Sequence, residues 1–268
     1  MTKLFRIPEV KCTLLICLCF LLTSTGWLSW EYHLMEQTST AISDICTMVI
    51  GYLLQAGGIG LFAIIRRPGR FARRHLLGVA LILHMVLMLP SVISPVLGVT
   101  LVFGLLMNLV CGVIAGAYLE ELAEGIVVTR RGTVFGLGYG LATLASWLLS
   151  LTGSSLYYSE RVLLVALVLT VLCLLMAGMS SGEASESGTI VTYPVAARSL
   201  TKTASEKHVI SGSELIWLCI LVSLLSMVNS LGFAFPSADL SSSIKVEFTR
   251  LVYGIGLILA GIVSDKKR

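Results

Sequence analysis

The sequence predicts an all-α, polytopic membrane protein, and three observations carry that prediction. Its 268 residues are 56% hydrophobic and only 13% charged, too little charge to cover a water-soluble domain of this length. Eight apolar segments approach the ~20 residues that a helix needs to cross a bilayer core of about 30 Å. The loops between them alternate between rich in basic residues and nearly free of them, which puts the basic residues on one side.

The first span is Cys12–Trp30. Lys3, Arg6 and Lys11 precede it, but no small-x-small cleavage site follows, so it reads as an uncleaved helix rather than a signal peptide. "LLIC", ending at Cys17, has Ile16 where a lipoprotein signal needs a small residue. The second span is Ile42–Ile65. The third and fourth, Leu76–Ile93 and Val96–Leu119, are parted by Ser94–Pro95, and the residue before a proline disfavours continued helix. Thr133–Leu151 and Val162–Met179 are the fifth and sixth. Leu215–Phe235 and Glu247–Ser264 are the seventh and eighth. Residues 180–212, "SSGEASESGTIVTYPVAARSLTKTASEKHVISG", are too polar to build a core and are expected to be a flexible cytoplasmic linker. The expected organisation is a bundle over 1–179, the linker over 180–212 and two further helices over 213–268.

Of the 19 lysines and arginines, all but Arg161, Lys245 and Arg250 fall on the same side under this count of spans. A missed span would invert every later loop, so the bias supports the count and places the N-terminus in the cytoplasm. The seven cysteines, Cys12, Cys17, Cys19, Cys46, Cys111, Cys173 and Cys219, have no metal or disulfide spacing. They read as small packing residues. The histidines His33, His75, His84 and His208 are dispersed, and no Walker lysine, HExxH or Ser/His/Asp grouping occurs. ATP-driven transport and hydrolytic catalysis therefore have no support. The chain does not read as an enzyme, and nothing calls for a cofactor, a metal or a nucleic acid.

Two loops resemble each other. "GLFAIIRRPGRFARR" (60–74) and "AGIVSDKKR" (260–268) are both basic and each follows the second helix of its block, as in a parallel duplication of a six-helix unit. These residues resemble the major facilitator superfamily, whose members carry G-x-x-x-D-R/K-x-G-R between helices 2 and 3 and a weaker copy between helices 8 and 9. Gly261, Asp265 and Lys266 match the second copy in order. The first keeps Arg67, Gly69 and Arg70, but has Phe62 where glycine is usual and Arg66 where aspartate is usual. "RRGTVFGLGYG" (130–140) looks like the Arg-Gly start of helix 5 in many members, and the long polar middle loop is also similar. The resemblance implies a six-helix N-terminal bundle plus the first two helices of a second bundle, truncated, where members have twelve helices. Helices 7 and 8 are then expected to pack loosely.

The resemblance implies a secondary transporter moving a small solute, with or without a coupling ion, across the cytoplasmic membrane. Helices 1, 4 and 7 would line its cavity, which makes Thr23, Thr25, Asn108 and Asn229 cavity candidates. Hydrogen bonding between helices explains such residues equally. Arg250, near the outer surface, either snorkels, pairs with Glu247 or binds an anionic group. At the inner side Arg66, Arg67, Gly69 and Arg70 stand opposite Glu120, Glu121 and Glu124. Together with Gly261, Asp265 and Lys266 they are candidates for a cytoplasmic gate, the alternative being solvated loops. His84 suits packing better than proton coupling. Gly132, Gly136 and Gly140 repeat every four residues and give the fifth helix a close-packing face. No proline falls between Gly132 and Gly153, unlike the Gly-Pro element of the family's antiporters. Some facilitator-like membrane domains precede a LuxR-type DNA-binding domain, so a ligand sensor lacking that domain, or a non-functional remnant, is the alternative to a carrier.

Overall fold

The computed structural model describes residues 7–66, 73–151, 161–179 and 246–266. Among the described residues every regular element is helical. The elements are α1 (Ile7–Gln37), α2 (Thr40–Arg66), α3 (Arg73–Ile93), α4 (Leu97–Gly125), α5 (Arg131–Leu151), α6 (Arg161–Met179) and α7 (Val246–Lys266). The first six are long and apolar enough to cross a membrane, the architecture of a polytopic membrane protein. They correspond in order to the first six predicted spans. α7 corresponds to the eighth. The linker over 180–212 and the span Leu215–Phe235 lie outside the described residues.

α1 is the centre of the bundle. It packs against α3, α4, α5 and α6. Its 31 residues run beyond the predicted Cys12–Trp30 at both ends, because polar ends such as Glu9 and Gln37 find partners past the hydrocarbon. His33 Nε2 and Gln37 Nε2 each lie 2.8 Å from the Ser94 carbonyl in the α3–α4 turn, and Thr100 Oγ1 donates to it at 3.2 Å. That clasp fixes the C-terminal end of α1. The Trp30 indole donates to the Thr100 carbonyl at 2.9 Å. It lies over Gly104, where a larger residue would collide with the ring.

α2 is wound in three parts: an α-helical turn Thr40–Asp44, a π-helical segment Ile45–Gly51 and an α-helix Tyr52–Arg66. Its main partner is α4. Gly58 and Gly112 meet backbone to backbone there, so a Cβ on either would collide with the other helix. α3 packs on α4 and α6.

The last helix does not pack loosely. α7 has its main contact with α5, and belongs with α1–α6 to one compact unit. Glycine faces glycine along this seam. A Cβ on Gly136 would meet the Leu257 carbonyl oxygen at 2.6 Å and Gly261 Cα at 3.0 Å, and one on Gly140 would meet the Gly254 oxygen at 2.7 Å. Small residues let helices approach closely in lipid, where dispersion replaces the hydrophobic drive. The close-packing face expected of Gly132, Gly136 and Gly140 finds its partner here.

Candidate functional site

The ends of α2, α4 and α7 and the starts of α1 and α5 lie together on the side that the basic bias assigns to the cytoplasm. Six charged side chains bind them. Arg66 Nε lies 3.0 Å from Glu120 Oε2, joining α2 to α4. Arg130 Nη1 lies 3.2 Å from Glu9 Oε2, and this glutamate is buried. Arg131 donates to the carbonyls of Ile126 and Ala123, satisfying the C-terminus of α4 with a cation, as the helix dipole favours. Asp265, in the last turn of α7, accepts from the backbone N–H of Gly132 at 3.1 Å and of Thr133 at 2.6 Å. Those are orphan donors in the first turn of α5, and a carboxylate there meets the positive end of its dipole.

The gate candidates are thus partly assembled. Glu120 is held by Arg66, one of the two positions at which the loop departs from the family pattern. Gly261 lies in the seam and Asp265 caps α5, with Lys266 in the same last turn. Glu121 sits one position from Glu120 near the C-terminal end of α4. Arg67, Gly69 and Arg70 lie outside the described residues. Glu9 was not picked out in the sequence. An acid in an otherwise basic N-terminal segment was its only signal.

In the middle of the bundle, Asn108 is fully buried. Its Nδ2 donates to the Gly104 carbonyl at 2.8 Å, and its Oδ1 accepts from Gln55 Nε2 at 2.8 Å. This bond ties α4 to α2 just after the π-helical segment. Thr25 is fully buried and donates to Leu21 O at 2.7 Å, within its own helix. Thr23 is half-buried and donates to Cys19 O at 3.0 Å. Asn229 lies outside the described residues. Arg250 is placed in the second turn of α7 by its backbone, and its side chain lies outside the description.

His84 is fully buried in α3, and neither ring nitrogen has a hydrogen-bond partner. Gly26 of α1 makes room for it: a Cβ at Gly26 would meet His84 Cε1 at 2.9 Å and Met107 Sδ at 3.4 Å. Aromatic side chains gather elsewhere. The ring centroids of Phe20 and Tyr139 are 3.7 Å apart, those of Phe135 and Tyr139 5.4 Å, and those of Trp27 and Tyr52 6.1 Å. Sequence reading passed over these rings because single aromatic residues in apolar helices carry no spacing signal. Among the described residues, no group of three or more His, Cys, Asp or Glu side chains is placed to hold a metal.

Comparison with protein-family models, with curated proteins and with solved structures finds no match to the chain.

Proposed function

We propose that the chain is a secondary carrier of the major-facilitator type, moving a small solute across the cytoplasmic membrane, with its N-terminus in the cytoplasm. The observation that supports this best is the grip of Asp265 on the start of α5. Sequence resemblance marked both ends of this contact independently: the acid of the second loop copy, and the Arg-Gly start of the fifth helix. A carrier needs a closure on one side of its cavity that can be made and broken. Two charge-assisted hydrogen bonds to a helix N-terminus suit that role, since a shift of α7 along its glycine seam breaks both together. The basic residues on the proposed cytoplasmic side support the orientation. Solute identity and any coupling ion belong to the cavity, for which Thr23, Thr25 and Asn108 are the described candidates.

Alternating access is tested by labelling. In a background with Cys17, Cys46 and Cys219 replaced by serine, Thr23→Cys is exposed to a membrane-impermeant maleimide, once in intact cells and once in inside-out vesicles. A carrier labels from both sides, at rates that move in opposite directions when Asp265→Asn loosens the inner closure. Labelling from one side only, unchanged by Asp265→Asn, would return the chain to a non-transporting membrane domain.

A further inference from the structure

His84 stands midway along α3 with no exposed surface, and neither ring nitrogen has a hydrogen-bond partner among the described residues. An imidazole is costly to bury in that condition, since one nitrogen presents a lone pair and the other a proton. Its neighbours show what the lone pair faces. Outside α1, the three atoms closest to the place that a Cβ on Gly26 would take are His84 Cε1 at 2.9 Å, His84 Nε2 at 3.0 Å and Met107 Sδ at 3.4 Å. Met107 is fully buried as well. A nitrogen of α3 and a sulfur of α4 thus converge on one gap of atomic size, with a glycine of α1 as its floor.

These donors select the ligand. A water molecule needs about two to four polar partners, and a thioether is a weak acceptor. Hard cations take oxygen donors, and zinc favours four donors rather than two. Charge decides further. The stretches 12–30, 76–93 and 97–119, which surround the gap, contain no Asp, Glu, Lys or Arg. No fixed charge there compensates a divalent ion, and burying an uncompensated charge is costly. One imidazole nitrogen and one thioether sulfur, both neutral, suit a soft monovalent metal ion.

We propose that His84 and Met107 form a binding site for Cu(I), with Gly26 leaving it room. The Nε2 lone pair and a sulfur lone pair each form a dative bond to the ion. No bond breaks, no electron is transferred and the other ring nitrogen keeps its proton. Met107, with its three rotatable side-chain bonds, closes the remaining distance without a shift of backbone. Of the three helices, α1 and α3 touch each other least, and their seam is the way in. The site does not rest on the carrier reading. A chain that transports nothing would still hold the ion, so the two fail separately.

The test uses the purified 268-residue chain in lipid nanodiscs, in a nitrate buffer free of thiols and halide. Ag(I), the redox-inert analogue of Cu(I), is the first probe. Cysteines bind it too, but equally in every variant, so the difference between chains is read. Wild type is expected to retain about one ion per chain more than His84→Gln or Met107→Leu. Met48→Leu, a thioether lost from α2, should match wild type. Gly26→Ala, whose methyl fills the gap, should weaken the differing site about tenfold. The second probe is Cu(I) itself, read by X-ray absorption. Imidazole scattering is expected around the copper of wild type and should be missing in His84→Gln. Equal silver uptake by all the chains would overturn the proposal, as would imidazole scattering that persists in His84→Gln. Displacement of the differing ion by equimolar Zn(II) would overturn it too. Should His84→Gln fail to fold, the volume-conserving Met107→Leu and the scattering of wild type decide.

Discussion

Helices α1 and α2 are both apolar spans, yet 61% of the α1 membrane window is buried inside the molecule and only 17% of the α2 window. Hydrophobicity does not separate them. In water an apolar face seeks the core, but in a bilayer the lipid is as apolar as a leucine-rich neighbour. Position is decided instead by small residues that admit a backbone and by polar groups that must be satisfied. α1 has Gly26 beneath His84, Trp30 on the Thr100 carbonyl and the clasp at Ser94. α2 has one such edge, where Gln55 and Gly58 meet α4, and its other sides carry exposed Leu53, Ile59 and Ile64.

Changes in small residues should therefore be severe inside the bundle and mild on the open side of α2. The largest effect is expected at the α5–α7 seam. Gly136→Leu leaves no room for the Leu257 carbonyl or for Gly261, and overpacking of this kind costs about 1–3 kcal/mol or more. Hydrogen exchange should show α7 losing roughly 10- to 100-fold of its protection while α1 keeps its own. Unchanged protection of α7 would mean that the seam does not hold it.

The pocket between α1 and α3 comes next. Gly26→Ala sets a methyl against His84 and should destabilise the bundle by about 1–2 kcal/mol in detergent unfolding. His84→Ala in the same chain should relieve most of that loss, and additive effects would separate the two residues. Asp265→Asn should cost about 1 kcal/mol, since it weakens two cap bonds at a helix N-terminus without removing the side chain. A similar loss at high salt would argue that packing rather than charge holds α7 there. The smallest effect is expected for Gly60→Leu. Apart from its own turn of helix, nothing lies within 4 Å of a Cβ at that site, so stability should stay within about 0.5 kcal/mol. A large loss would reveal a helix covering that side of α2.

Long apolar runs, Ser94–Pro95 and the basic content of every other loop made the first six helices legible, because span length and chain reversal are local properties. Pairing was less legible. The four-residue glycine repeat announced a close contact for α5, but nothing local says that Gly254 and Gly261 answer it. Loose packing of α7 was accordingly the natural expectation and the wrong one. Glu120 was legible as an acid opposite a basic loop, and the partner described for it is Arg66, where the family motif has aspartate. Thr25 and Asn108 illustrate a further limit. A hydroxyl or amide in a span reads the same whether it faces a cavity, a neighbouring helix or its own backbone, and only packing distinguishes them. The π-helical segment of α2 had no sequence signal at all, since "ICTMVIG" is an ordinary apolar run.

The cap on α5 has a consequence in time. Asp265 is 133 residues beyond Gly132, so at synthesis rates of about 5–20 residues per second the first turn of α5 exists for roughly 7–27 s before its acceptor is made. During that interval water and headgroups must serve the Gly132 and Thr133 amides. α1–α6 thus pass through the translocation machinery with one helix start provisionally solvated, and the arrival of α7 is a discrete late event in biogenesis. Slowing translation between residues 180 and 245 would lengthen that interval without altering a single contact of the finished molecule.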